Sequence, residues 1–298
     1  MAEAVLNEAA RENAGRAERL RLAEAMPGLE LAEVFLAEAA YSSHRHDTYA
    51  VGLTVSGVQR FDYRGVQHRS GPGDAFVLHP DELHDGRPGT DTGFGYRTLY
   101  VAPELIGGCL NGALPFVSHP VCGKGPLQAA IVSALTALEP VPDELHETDV
   151  VSCLAHALAA ASGKPNQTMR SIDSRAMERV RDHLRNAARS HVGIAELERE
   201  AGLNRWTLYR QFRAAFGVSP HRYRTMRRLD LARHCIAGGM PLAEAAAASG
   251  FADQSHMTRR FRQTFGLSPG LWQRLSVQPV SRSFNSSMRS VPQNSSPS

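Results

Sequence analysis

One pattern occurs twice in the last third of the chain, and it restricts the fold more than any other feature of the sequence. The first copy, IAELEREAGLNRWTLYRQFRAAFG, runs from Ile194 to Gly217; the second, LAEAAAASGFADQSHMTRRFRQTFG, runs from Leu242 to Gly266. Each reads as a short helix, a glycine, a bulky apolar residue, a polar cap and a second helix that stops at Phe-Gly. A supersecondary unit repeated in this way predicts a tandem helix-turn-helix. Gly202 and Gly250 supply the turn angle that other residues resist, Leu203 and Phe251 plug the core behind it, and Asn204 and Asp253 cap the second helices. Leu208, Phe212 and Phe216 recur at helical spacing, as do Met257, Phe261 and Phe265, so these stripes face inward. Arg205, Trp206, Tyr209, Arg210 and Arg213 in copy one, and Gln254, Ser255, His256, Arg259 and Arg260 in copy two, are left facing out.

The outward set suits double-stranded DNA. The second helix of such a unit lies in the major groove with its N-terminal residues against base edges. Arginine and glutamine can make paired hydrogen bonds to guanine and adenine, and the remaining arginines hold phosphates. Between the copies, Leu229, Ala232 and Ile236 in PHRYRTMRRLDLARHCIAGG predict one continuous helix. As a rigid strut it would let one chain read two major-groove faces about 34 Å apart. Charge agrees: residues 171–298 hold 20 Lys and Arg against 9 Asp and Glu, a net of +11, while residues 1–170 carry 13 against 21, a net of −8. The basic part has the electrostatics of a polyanion binder.

A length of 298 residues suits two domains. Residues 1–27 read as an alanine-rich charged helix or a mobile arm ended by Pro27-Gly28. They lack a signal-peptide core, and no apolar run reaches the roughly 20 residues of a membrane span; the expectation is a soluble, cytoplasmic protein with no membrane partner. Cys109, Cys122, Cys153 and Cys235 form no C-x-x-C pair, which argues against a zinc ribbon and a secreted disulfide framework. From residue 28 to about 102, runs such as YAVGLTVSG, QRFDYRG and DAFVLHP, broken by glycine and proline, predict a small sandwich or barrel. Leu127, Ile131, Leu135 and Leu138 mark a helix at about 126–139, and Val151, Leu154 and Leu158 another at about 145–161. Their apolar stripes suit packing on the barrel. Residues 162–171 are a polar linker, and the Ser-, Pro- and Asn-rich residues 277–298 are expected to be disordered. The predicted division is therefore an arm at 1–27, a β-rich domain with accessory helices at 28–163, a linker at 164–172, a tandem helix-turn-helix domain at 173–276 and a tail at 277–298.

About 100 C-terminal residues resemble the AraC/XylS family of bacterial transcription regulators. RRLDLARHCI in the strut and LAEAAAASGFADQSHMTRRFRQTFGLSP follow the family signature nearly throughout, and FGVSP at 216–220 closes the first copy in the same way. The resemblance implies that Trp206, Tyr209, Arg210, Gln254, Ser255, His256 and Arg259 face DNA. Tyr209 and His256 are not the commonest types there, so base preference does not carry over. The N-terminal part is similar to the family's cupin-type sensor, through His44-Arg45-His46 at a strand start, then Gly71-Pro72-Gly73-Asp74, then His84. The implied fold class is an all-β cupin-like barrel with accessory helices followed by an all-α tandem helix-turn-helix domain.

In metal-dependent cupins His44, His46 and His84 would be ligands, but the glutamate usual after H-x-H is missing from Asp47-Thr48-Tyr49-Ala50-Val51, and neither a metal nor another cofactor is assigned. A small organic effector is the expected occupant, with His44, His46, Tyr49, Phe61, Tyr63, His84 and Arg97 as candidate pocket residues. Arg97 would anchor a carboxylate if it points inward. No G-x-S-x-G elbow, P-loop or dinucleotide fingerprint is present, so a regulator rather than an enzyme is expected. The alternative is a metal-dependent cupin enzyme or metal sensor fused to a DNA-binding module. The resemblance also implies a homodimer through the helices near 126–139 and 145–161, with RNA polymerase as a further candidate partner. Operator position relative to the promoter, outside the protein, decides between activation and repression.

Overall fold

The computed structural model describes residues 18–137, 144–162, 172–190 and 192–276. Leu138, the expected tail, nearly all of the expected linker and most of the expected arm lie outside the described residues.

Ten strands form two antiparallel sheets among the described residues. The larger has the order β1-β2-β9-β4-β7-β10, from β1 (Arg19–Met26), β2 (Leu29–Leu36), β9 (Phe94–Val101), β4 (Tyr49–Gly57), β7 (Ala75–Leu78) and β10 (Val121–Cys122). The smaller is β3-β8-β5-β6, from β3 (Tyr41–His44), β8 (His84–Pro88), β5 (Gln59–Tyr63) and β6 (Val66–Ser70). The first strand corrects an expectation, because residues 19–26 are neither a helix nor a free arm. RLRLAEAM pairs with β2 along its length, Arg19 and Arg21 meet Glu33 at 2.9 and 3.8 Å, and Leu20 is buried. Alanine and glutamate favour a helix locally, but cross-strand pairing and burial override a weak local preference. Pro27-Gly28 is the hairpin turn, with Gly28 at φ +87°.

Both faces of the larger sheet are covered. Along β9, Phe94 and Tyr96 face the sandwich interior with Phe61, Tyr63 and Phe76. The alternate residues Leu99 and Val101 face outward, where they pack with Leu29, Tyr49 and Val51. Helices α1 (Pro103–Cys109), α2 (Pro126–Ala137) and α3 (Glu144–Ala161) close that outer face. The expected stripes, Leu127, Ile131 and Leu135 on α2 and Val151, Leu154 and Leu158 on α3, are buried in this cluster.

The helical domain comprises α4 (Ser174–Asn186), α5 (Ile194–Ala201), α6 (Arg205–Phe216), α7 (Pro220–Ala237), α8 (Leu242–Ala248), α9 (Gln254–Phe265) and α10 (Pro269–Leu275). The two turns form as their residues dictate. Gly202 and Gly250 take φ of +66° and +80°. Asn204 accepts a hydrogen bond from the Thr207 amide at 3.0 Å, and Asp253 one from His256 at 2.7 Å; each such cap contributes about 1 kcal/mol. The repeated Ser-Pro after each Phe-Gly starts the next helix. Ser219 and Ser268 cap α7 and α10, with Pro220 and Pro269 in the first helical position, where no amide donor is needed. Leu208, Phe212 and Phe216 close the first unit against Met177, Val180 and Leu184. The second unit is different: Met257, Phe261, Leu229 and Trp272 share one cluster with the sandwich interior. The strut, α7, is continuous, as predicted.

Candidate nucleic-acid interface and effector cavity

The N-terminal ends of α6 and α9 are open. Arg205, Trp206, Tyr209, Arg210, Gln254, Ser255, Arg259 and Arg260 are exposed, Trp206 by 78%. His256 is half-buried, edge-on to Phe251 at 5.5 Å. A water-facing indole beside arginines is costly to maintain without a partner, and it suits contact with a nucleic acid. Arg213 departs from the expected set. It sits on the last turn of α6 and pairs with Asp81 of the β-domain at 3.2 Å, away from the open end of its helix.

Arg213 belongs to a seam that fastens the helical domain to the β-domain. Arg222 joins it on Asp81 at 2.9 Å, Arg227 meets Asp47 at 2.6 Å, and Arg233 grips both oxygens of Glu30 at 2.9 and 2.6 Å. Asp230 and Asp47 hold the Arg227 guanidinium above its usual pKa despite the opposing effect of burial. Two backbone bonds reinforce the seam: the Ser42 amide donates to Gly266 O and the Arg45 amide to Gln263 O, both at 3.0 Å. Gly266 has φ +72°, and a Cβ there would lie 2.8 Å from His44 Nδ1, so both backbone angle and space require glycine. Arg222, Arg227 and Arg233 were missed as site residues. The signal available was the charge split, since an acidic domain and a basic one complement each other as well as DNA.

Between the domains lies a cavity of about 240 Å³. Leu20, Leu22, Phe76, Leu78, Tyr96 and Trp272 give it an apolar wall. His44, His46 and His84 converge on it, each at least nine-tenths buried. The His44 and His84 ring centroids are 4.2 Å apart, those of His46 and His84 4.7 Å, and those of His44 and His46 6.2 Å. Each Nδ1 faces a carbonyl oxygen: Ser42 O at 2.8 Å from His44, Thr48 O at 2.8 Å from His46 and Glu82 O at 2.9 Å from His84. A carbonyl only accepts, so each Nδ1 carries the proton. Burial holds all three imidazoles below their ordinary pKa, His84 down to about 4, so they are neutral at pH 7 and each Nε2 is an acceptor. Tyr41, Tyr96 and Tyr100 also line the cavity, with Tyr96 donating to the Tyr41 hydroxyl at 3.0 Å. Among the described residues no group of three or more His, Cys, Asp or Glu is placed to hold a metal ion.

The other expected pocket residues sit elsewhere. Arg97 is on the outer face of β9, where its Nη2 donates to Leu135 O of α2 at 3.2 Å. Tyr49 is on the same outer face and donates its hydroxyl to Pro115 O at 2.9 Å. Phe61 fills the sandwich core, and Tyr63 is tied to His79 Nδ1 at 2.7 Å. His44-Arg45-His46 ends a strand rather than starting one, and both histidines are buried on one side of exposed Arg45, as alternation predicted.

Family comparison agrees with this architecture. A helix-turn-helix domain model matches residues 197–275, and an AraC-like ligand-binding domain model matches residues 27–170. The uncharacterized HTH-type transcriptional regulator YbfI of Bacillus subtilis (strain 168) is 22% identical over 223 residues, 73% of this chain and 81% of its own. The HTH-type transcriptional activator RhaS of Yersinia pestis (strain Pestoides F) is 24% identical over 244 residues, 78% and 89% of the two chains. Among solved structures, unsaturated fatty acid bound ToxT from Vibrio cholerae superposes with a TM-score of 0.61 at 14% identity, covering 85% of this chain and 98% of ToxT. No helix among the described residues is long and apolar enough to cross a membrane. With a ligand-binding domain preceding a helix-turn-helix domain, in matched order and fold, the chain belongs to the AraC family of transcriptional regulators.

Proposed function

We propose that a small organic effector occupies the cavity at the seam and sets how firmly the helix-turn-helix pair is held, and thereby how it engages promoter DNA. The observation that carries this reading is that one cavity draws walls from both domains: His44 and Tyr96 from the sheets, Met226, Arg227 and Trp272 from the helices. A ligand touching both domains binds the docked and undocked states with different affinity, which is what a switch requires. Arg205, Trp206, Tyr209 and Arg210 of α6, with Gln254, Ser255, His256, Arg259 and Arg260 of α9, read the DNA in this proposal, and Arg213 is reassigned to the seam.

The lining also restricts effector chemistry. Glu24, Glu30, Asp47, Asp85, Glu104 and Asp230 line the cavity together with Arg227 and Arg233, and both arginines are already paired. With three acceptor imidazoles added, the cavity favours a neutral or cationic molecule bearing hydrogen-bond donors over a fatty acid such as ToxT binds. The role is regulatory rather than catalytic, in keeping with relatives that are regulators, and is carried out in the cytoplasm with the DNA. Homodimerisation through α2 and α3, and a contact with RNA polymerase at the promoter, complete the proposal.

The test uses a labelled duplex selected from a random pool by the full chain. Compounds are first ranked by how far they raise the melting temperature, then added to the DNA titration. A stabilising compound that also shifts the DNA Kd, with both effects lost in His84→Phe, supports the reading. If compounds that stabilise the wild type but not His84→Phe leave DNA affinity unchanged, the seam does not couple the two.

A further inference from the structure

The strut α7 carries charge on two sides. Arg222, Arg227 and Arg233 turn toward the β-domain, and each meets a carboxylate there. His221, Arg224 and Arg228 stand at i, i+3 and i+7, a single stripe on the opposite side. No member of this stripe is ion-paired among the described residues. The Arg224 guanidinium donates to Ser190 O, and Arg228 donates to Ala188 O at 2.6 Å through Nε and to Ser190 O at 3.4 Å through Nη2. Carbonyl partners orient these arginines without cancelling their charge. Arg260 of α9 lies alongside, with Gln263 Oε1 as a neutral partner at 3.4 Å. Burial, then the charges of Arg260, Arg224 and Arg228, holds the His221 imidazole below its ordinary pKa.

The stripe is also rigidly seated. Residues 188–190 follow the first helix of the helical domain and wedge against the turn of the second unit. A Cβ on Gly250 would lie 3.0 Å from Arg189 Cα and 3.1 Å from its carbonyl oxygen. The carbonyls that orient Arg224 and Arg228 are therefore pinned at the junction of the two units, and exposed Arg189 adds a further positive charge there.

Like charges held together with no counter-charge oppose folding and await an anion from outside. A duplex with successive major-groove faces on α6 and α9 turns the intervening backbone toward whatever joins those helices. We propose that His221, Arg224 and Arg228, continued by Arg260, form a phosphate clamp that grips this backbone between the two base-reading helices, independent of sequence. The clamp rests on the DNA-binding reading above and adds to it a site that reads no bases.

The experiment compares the full chain with the Arg224→Gln/Arg228→Gln double variant on two duplexes, one selected by the wild type and one scrambled, across a KCl series. Each phosphate contact contributes about 0.9 to the slope of log K against log salt. The clamp predicts a slope shallower by about 1.8 in the variant, an affinity loss of about 10- to 100-fold on both duplexes, and an unchanged ratio between them. Arg224→Lys/Arg228→Lys retains the charge and restores the slope. An unchanged slope overturns the clamp, whether affinity holds or falls, since a fall with normal slope marks a purely structural tie to residues 188–190. Loss on the selected duplex alone also overturns it, by making the stripe a base reader. If the wild type itself shows no salt-dependent binding to either duplex, the DNA-binding reading fails and the clamp with it.

Discussion

Glu30→Gln tests how the two domains are held together. Arg233 spends both terminal nitrogens on Glu30, and the two side chains are each only 18% exposed. Breaking a fully buried pair by removing one partner costs about 3–5 kcal/mol, because a charge is left stranded. Partial exposure here, and the single hydrogen bond that glutamine retains, reduce the expected cost to about 2–3 kcal/mol. The pair spans the seam, so the cost falls on docking rather than on the folding of either domain. Two amides report docking directly, since Ser42 and Arg45 donate across the seam to Gly266 O and Gln263 O. Their hydrogen exchange in Glu30→Gln should accelerate by about 30- to 150-fold, while the amides of Val51 and Leu53 in the central strand β4 change little. Arg233→Ala should do the same, and the double variant should cost less than the sum of the singles. Unchanged exchange at Ser42 and Arg45 would show that the ion pair does not hold the seam; acceleration throughout β4 would show that it stabilises the sandwich instead.

Phe212 is fully buried in the first unit, so Phe212→Ala should lose about 3–5 kcal/mol in denaturant unfolding; an unchanged midpoint would place that ring at the surface. Arg210→Ala and Arg259→Ala should each weaken binding to a selected duplex by about 1–3 kcal/mol and relax selectivity, with little change on random DNA; equal losses on both duplexes would make these residues phosphate contacts. The buried histidines give an acid dependence. His84 titrates at about 4 when folded and near 6.5 when unfolded, so below 6.5 the unfolded chain takes up a proton that the folded one refuses. Stability is then full above about pH 6.5 and falls toward pH 4, by about 3 kcal/mol from this group alone. His84→Gln should flatten that part of the stability curve, and superimposable curves for the two proteins would contradict the assignment.

What could be read in advance follows from how local each feature is. The caps at Asn204 and Asp253, the αL glycines at 202 and 250 and the inward stripes depend on residues within a turn or two, and these appear where predicted. The histidine set was legible because alternation around Arg45 places both imidazoles on one side. Arg97 and Tyr49 were not. Both faces of β9 and β4 are covered, so Phe94 and Tyr96 on one side and Leu99 and Val101 on the other look alike in sequence, and no polar alternation marks which side holds a cavity. Strand β1 was hidden by its alanines and glutamates, whose partner β2 is fixed only once the sheet forms. The cavity itself was beyond local reading, since about a third of its lining comes from the helical domain, nearly 200 residues away in the chain.

The most direct measurement is a hydroxyl-radical footprint of the full chain on a duplex selected from a random pool. The account predicts two protected patches on one face of the duplex, centred about 10 base pairs apart for each bound chain, one for α6 and one for α9. It predicts too that Arg210→Ala weakens one patch and Arg259→Ala the other. A single patch, or protection that ignores sequence and both substitutions, would contradict the claim that this chain reads DNA with two units held by a rigid strut.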